Sequence, residues 1–144
     1  MADLSEPRVI AVGGPTASGK TALSVALAKT FDGEIINADS MQLYKGLDIG
    51  TAKPSPEEQQ GIPHHLLDFL PPETAYSVAD FTAAADPLIR EISGRGRLPF
   101  VVGGTGLYIT SLLNGMSFAP EKTDPAIRAR LQAQADAGDG AALY

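Results

Sequence analysis

The octapeptide GPTASGKT at Gly14–Thr21 constrains this chain more than any other stretch. It follows the apolar run VIAVGG and precedes a segment with Leu23, Ala26, Leu27 and Thr30 at helical spacing. Gly14, Gly19, Lys20 and Thr21 meet the pattern G-x-x-x-x-G-K-[ST]. Glycines there let the backbone turn several N–H groups onto one anion. The start of the following helix adds about half a positive charge. Lys20 supplies a full mobile charge, and the Thr21 hydroxyl is placed to ligate Mg²⁺. Gly14, Pro15, Thr16, Ala17, Ser18, Gly19, Lys20 and Thr21 are therefore the candidates for holding a diphosphate or nucleotide, with Mg²⁺ as cofactor. The motif identifies the anion and leaves open which bond is broken.

The flanking segments predict a βαβ unit and hence a parallel sheet. Arg8–Gly13 reads as a buried strand, Lys20–Phe31 as a helix stopped at Gly33, and Glu34–Ala38 as a second strand running into Asp39. TAKPSPEEQQGIP reads as an exposed loop with one helical turn, and HHLLDFL (His64–Leu70) as a third short strand. Ser77, with Asp80 three residues on, caps a helix whose apolar face is Val78, Phe81, Ala85, Leu88 and Ile92. Pro87 predicts a kink in that helix. Leu98–Val102 is another buried strand, Leu107–Leu113 a helix, and Asp124-Pro125 the start of a last one. The expected class is a phosphate-loop NTPase-like α/β fold, a parallel sheet flanked by helices.

Composition narrows the setting. A chain of 144 residues suffices for one compact domain. There are no cysteines, so neither a disulfide framework nor a thiolate zinc site is available. The N-terminal MADLSEPR lacks a basic-then-apolar signal segment, and no apolar run approaches the roughly 18 residues of a membrane span. A soluble, cytoplasmic, monomeric protein is expected. The net charge of −6 offers RNA little general attraction, though a local basic patch can coexist with it.

Two further stretches carry chemistry. Asp39, in INADSMQLY, stands at the end of the second strand, where an open α/β sheet faces its ligand crevice. It is read either as the acid that orients hydrated Mg²⁺ or as a general base on an acceptor beside the phosphates. Capping of the next turn, with Ser40 helping, is the plain alternative. Thr105, in GGTGLY after LPFVV, sits where its hydroxyl meets Asp39 across the sheet edge. His64 and His65 resemble a metal pair, but neighbours on a strand point to opposite faces, which favours structural or substrate-lining roles. Tyr44 and Lys45 are candidates for the entrance.

GPTASGKT, NADSMQLYKGLDIGTAKP, GIPHHLLDFL, YSVADF and VVGGTGLYI together resemble, in order and spacing, the tRNA dimethylallyltransferases (tRNA isopentenyltransferases). The likeness runs from about Arg8 to Tyr108 and continues more weakly through DPAIRARL; ordinary nucleotide kinases lack the DS-x-Q-x-Y-x-G-x-DIGTAKP stretch. The resemblance implies transfer of a dimethylallyl group from dimethylallyl diphosphate to N6 of an adenine just 3′ of the anticodon, in tRNAs reading codons that begin with U. It implies tRNA, through its anticodon stem-loop, as partner. It implies Asp39 and Thr105 as catalytic residues, and Asp39, Ser40, Met41, Gln42, Thr105 and Arg128 as tRNA contacts. It also implies a division into an α/β core over residues 1–120 and the start of a helical tRNA-binding insertion over 121–144. The family's chain is roughly twice this length, so the chain reads as its truncated N-terminal portion.

Three other functions remain open at this stage. One is an adenylate isopentenyltransferase that uses free AMP, ADP or ATP. Another is a small-molecule kinase, which leaves DSMQLY and DIGTAKP unexplained. The third is a non-catalytic, phosphate- or RNA-binding fragment.

Overall fold

The computed structural model describes residues 6–116, 118 and 124–138. Its sheet has four strands: β1 (Ile10–Gly13), β2 (Gly33–Asn37), β3 (His64–His65) and β4 (Leu98–Gly103). They run parallel in the spatial order β1-β4-β2-β3. The helices are α1 (Lys20–Thr30), α2 (Pro56–Gln59), α3 (Val78–Gly94), α4 (Gly106–Leu113) and α5 (Pro125–Asp136). The expected α/β class and parallel sheet are both present.

The middle strands explain themselves through burial. β2 and β4 have helices on both faces, so their sequences are apolar almost throughout rather than alternating. Ile35, Phe100 and Val102 face α1, where they pack with Val25 and Ala28. Ile36, Ala38 and Val101 face the other way, into Phe81, Ala85, Ile89 and Ile92 of α3 and Tyr108 of α4. Phe81 and Tyr108 stack with ring centroids 4.5 Å apart. Helix α3 is closed at its start by the expected capping box: the Ser77 hydroxyl accepts from the Asp80 N–H, and the Asp80 carboxylate accepts from the Ser77 N–H. A single helix runs through Pro87 to Gly94.

Several expectations change. β1 is an edge strand with Ile10 and Ala11 exposed, not a buried one. The buried face of α1 is Ser24, Val25 and Ala28, whereas Leu23, Ala26 and Thr30 are exposed. Gly33 does not stop α1. Asp32 makes the left-handed turn (φ 49°), and Gly33 is the first residue of β2. A Cβ at Gly33 would lie 2.3 Å from the Phe100 ring, so its glycine serves packing rather than capping. β3 is only two residues long. Leu66 and Asp68 take left-handed φ values of 57° and 53°, which break the ladder, and Leu70 instead bridges to Tyr44. The domain boundary expected between residues 120 and 121 lies outside the described residues. Among the described residues no helix is long and apolar enough to cross a membrane.

At the end of the sheet away from the phosphate loop, Glu34 is a buried acid on a central strand, 3% exposed. It pairs with His65 of β3 at 2.6 Å, Arg95 at 2.7 Å and Arg97 at 3.1 Å. Burial alone would raise the Glu34 carboxyl, but hydrogen bonds from His65, Arg95 and Arg97 override it and hold the group below the usual carboxylate range. A lowered folded-state value stabilises the fold above the ordinary carboxylate range, and that contribution is lost as pH falls through it. The two arginines are 42% and 40% exposed, which weakens the pairing by solvent screening. Glu34→Gln should therefore cost about 2 kcal/mol at neutral pH. In urea titrations at a series of pH values, the gap from the unsubstituted protein should narrow as pH drops below the carboxylate range; a gap that widens there contradicts this account.

Candidate active site

The phosphate loop occupies the turn from β1 into α1. Ala17 (φ 62°) and Gly19 (φ 87°) adopt left-handed conformations within it. For Ala17 this is an uncommon backbone, of the kind that collects at binding sites. Gly19 is the N-cap of α1 and offers no side chain, and the first helical turn contains no acidic residue. The leading N–H groups of α1 thus have no side-chain acceptor, the condition under which a helix start receives an anion. The Lys20 ammonium folds back onto Pro15 O, with the Ser18 hydroxyl 3.5 Å away. Its charge therefore sits over the loop.

β2 delivers Asp39 to the same cleft. Thr16, Ala17, Gly19, Lys20, Thr21 and Asp39 line a cavity of about 320 Å³, together with Gln42 and the 52–53 segment. Asp39 Oδ1 accepts from the N–H groups of Met41 (2.9 Å) and Gln42 (3.3 Å). One carboxylate oxygen therefore does cap the turn. Among the described residues Oδ2 has no hydrogen-bond partner, and it lies beside Gly104.

β4 delivers Thr105, and the structure corrects its expected partner. Its hydroxyl accepts from the Ser40 N–H at 2.9 Å and donates to Ser40 Oγ at 3.2 Å, so it meets the residue after Asp39 and not Asp39 itself. The Thr105 N–H donates to Ala38 O at 3.2 Å, and the Ala38 N–H to Val102 O at 2.7 Å. This seam closes only because residue 103 is glycine. A Cβ there would lie 2.2 Å from Ala38 O. A Cβ at Gly104 would stand at ordinary contact distance, 3.4 Å, from Gly14 O, so the end of β4 lies against the phosphate loop while only residue 103 is held to glycine by space.

The remaining candidates separate. The Gln42 side chain donates to Thr51 O (2.9 Å) and Ala52 O (3.1 Å), tying the 47–53 loop to the Asp39 turn. Met41 is half exposed beside it. Arg128 is exposed on α5 and does not line the cleft. The Tyr44 hydroxyl is tied to Thr74 O, which makes that residue part of the packing rather than of an entrance; Lys45 is exposed.

Sequence reasoning missed Lys53. Its side chain is 7% exposed, and its ammonium bridges Asp48, Asp68 and Tyr44 O at 2.6–2.7 Å. Burial would lower its proton affinity, but the two carboxylates outweigh that and raise it. Nothing in its spacing marks a lysine at a loop end as buried. The two histidines do diverge as expected: His65 pairs with Glu34, and His64 lines a separate small cavity beside α1.

No group of three or more His, Cys, Asp or Glu side chains among the described residues is disposed to hold a metal. Thr21 lines the cleft, with Asp39 and Glu58 as the acidic residues of the same lining. That sparse donor set fits Mg²⁺, which keeps most of its waters and takes further ligands from substrate phosphates.

The IPP transferase family model matches residues 42–144, most of the chain. The chain belongs to the IPP transferase family. It is 56% identical over 128 residues to the tRNA dimethylallyltransferase of Anaeromyxobacter sp. (strain K), covering 89% of this chain and 42% of that one. It is 50% identical over its whole length to the tRNA dimethylallyltransferase of Corynebacterium jeikeium, 46% of which it covers. The crystal structure of full-length tRNA isopentenylpyrophosphate transferase from Bacillus halodurans superposes with a TM-score of 0.78 at 49% identity, over 92% of this chain and 44% of that one. The chain thus spans less than half the length of the relatives it matches. The family model begins at Gln42, so the phosphate loop and Asp39 lie outside that match and inside the similarity to the whole-length relative.

Thr105→Val should leave the Ser40 N–H without its acceptor and cost about 1–2 kcal/mol in urea unfolding, while Thr105→Ser should restore most of it. Equal stability of all three proteins would show that the seam does not depend on this hydroxyl.

Proposed function

We propose that this chain provides the diphosphate-holding and adenine-activating part of a tRNA dimethylallyltransferase. One observation carries the reading: Asp39, whose Oδ2 has no hydrogen-bond partner among the described residues, lines the same cleft as an anion-ready phosphate loop. A hydrolase or kinase uses such a loop to present a phosphorus atom. Here the loop holds the leaving group instead, and the acid serves the incoming nucleophile. Family membership and the names of the relatives favour this use over phosphoryl transfer.

The chemistry follows from the placement. The adenine N6 lone pair is delocalised into the ring, so the amine is a weak nucleophile. As its bond to the allylic C1 forms, the C1–O bond breaks and the diphosphate departs with the electron pair. The N6 proton passes to Asp39. Charge growing on the diphosphate meets the N–H groups of the loop and of the α1 start, together with the Lys20 ammonium, which moves from Pro15 O to the anion. Mg²⁺ held by Thr21 would supply further positive charge to the same oxygens when bound. Ser40, Met41, Gln42 and Thr105 border the Asp39 side, where an adenine extruded from its stack is received. Arg128 is assigned to a more distant RNA contact.

The test uses the purified protein. It is incubated with radiolabelled dimethylallyl diphosphate and Mg²⁺, with unmodified tRNA and with AMP in parallel. Label in tRNA alone is expected, and label in AMP would move the assignment to an adenylate isopentenyltransferase. Asp39→Ala should abolish transfer and leave diphosphate binding intact, whereas Lys20→Ala should weaken diphosphate binding itself by about tenfold or more. Near-normal transfer by Asp39→Ala would remove the general-base assignment.

A further inference from the structure

Beneath the cleft, between α1 and the carboxyl end of β2, lies a second, smaller cavity of about 30 Å³. A single buried water requires roughly 10–15 Å³ and two to four polar partners. Asp39, Asn37, His64, Lys20 and Thr21 are among its lining residues. We propose that this cavity is a built site for one ordered water, held by Asn37 Oδ1 and His64 Nε2, which accepts a hydrogen bond from Asp39 once Asp39 has taken the substrate's proton. The inference rests on the reading of Asp39 as general base.

Both acceptors are oriented by bonds to the backbone. The Asn37 amide donates from Nδ2 to Leu66 O at 3.0 Å and reaches Asp39 O at 3.4 Å, which assigns the nitrogen and leaves Oδ1 as the remaining polar atom. Asn37 is 5% exposed, and Oδ1 has no protein partner among the described residues. His64 Nδ1 lies 2.8 Å from Ile62 O, and facing a carbonyl it must carry the proton. Nε2 is then the ring's acceptor, also without a protein partner among the described residues. Burial lowers the proton affinity of His64 and keeps the ring neutral, so Nε2 stays an acceptor.

Two acceptors fix a water by taking both of its hydrogens. Such a water has only lone pairs left to offer. Toward Asp39 as a carboxylate, itself an acceptor, it gives nothing while Asn37 and His64 hold both hydrogens. Toward Asp39 as a carboxylic acid it accepts the new O–H. The water thus favours the state reached after proton transfer over the state before it, the differential stabilisation that raises a rate rather than an affinity. Asn37 and His64 are positioning residues in this account, since they act on Asp39 through the water.

The test is kinetic and crystallographic, on the purified protein. His64→Phe and Asn37→Leu should each lower kcat about tenfold, the worth of one such hydrogen bond, with KM for dimethylallyl diphosphate and for an anticodon stem-loop changed less than about twofold. The double variant should lose little more than either single one, because both residues hold the same water. His64→Gln, which keeps an acceptor, should recover most of the rate. A high-resolution crystal structure should place a water within hydrogen-bond distance of Asn37 Oδ1 and His64 Nε2. Unchanged kcat, independent losses that multiply, failure of His64→Gln to rescue, or a site without that water would overturn the inference. If that happens while Asp39→Ala still abolishes transfer, the general-base reading stands without it. If Asp39→Ala retains transfer, the general-base reading falls first and takes this inference with it.

Discussion

The contact between the Ala38 carbonyl and the bare backbone of Gly103 is the constraint on which the candidate site depends. Two parallel strands, β2 and β4, end side by side there, with no room for a Cβ at residue 103. That approach lets the Thr105 N–H reach Ala38 O and the Thr105 hydroxyl reach Ser40. The turn that starts at Asp39 is thereby pinned from one side. Gln42 pins it from the other, through Thr51 and Ala52. The carboxylate between these anchors has one oxygen spent on the turn and one without a hydrogen-bond partner among the described residues. A carboxylate held this firmly costs little to orient in the proposed reaction.

The phosphate loop is built on different physics. Its binding groups are backbone N–H groups and a lysine, arranged by left-handed turns at Ala17 and Gly19 and by a helix start without a competing side chain. It recognises charge, wherever that charge is attached. In the proposed reaction Asp39 takes a proton. In the proposal the reaction class arises from joining the two across neighbouring strand ends, and neither motif alone distinguishes prenyl transfer from phosphoryl transfer. Lys53 supports the arrangement from the wall of the cleft, which it lines. Its buried ammonium gathers the carboxylates of Asp48 and Asp68 and fixes the loop that Gln42 grips.

What was legible in the sequence follows the range of each interaction. The glycine loop, the capping box at Ser77 and the apolar runs IINA and PFVV are local signals, and they placed β2, β4, α1 and α3 within a residue or two. Opposite orientations for His64 and His65 followed from strand geometry alone, even though β3 proved only two residues long. Misreadings came where a long-range neighbour decides. Gly33 looks like a helix stop until Phe100 is found packed over it. β1 looks buried because its residues are apolar, but it lies at the sheet edge. Glu34 and Lys53 carry charge into the interior because their partners, Arg95 and Arg97 for one, Asp48 and Asp68 for the other, converge only in three dimensions. Thr105 was placed at the right strand end, and its partner was off by one residue, the difference between adjacency along a sheet and a particular hydrogen bond.

The central claim is that the loop holds a leaving group while Asp39 serves the acceptor. Counting products tests it most directly. With purified protein, dimethylallyl diphosphate and an anticodon stem-loop, inorganic diphosphate and N6-dimethylallyl adenine should appear in equal amounts at every time point. Diphosphate released without modified adenine, or phosphate transferred to the acceptor, would contradict it.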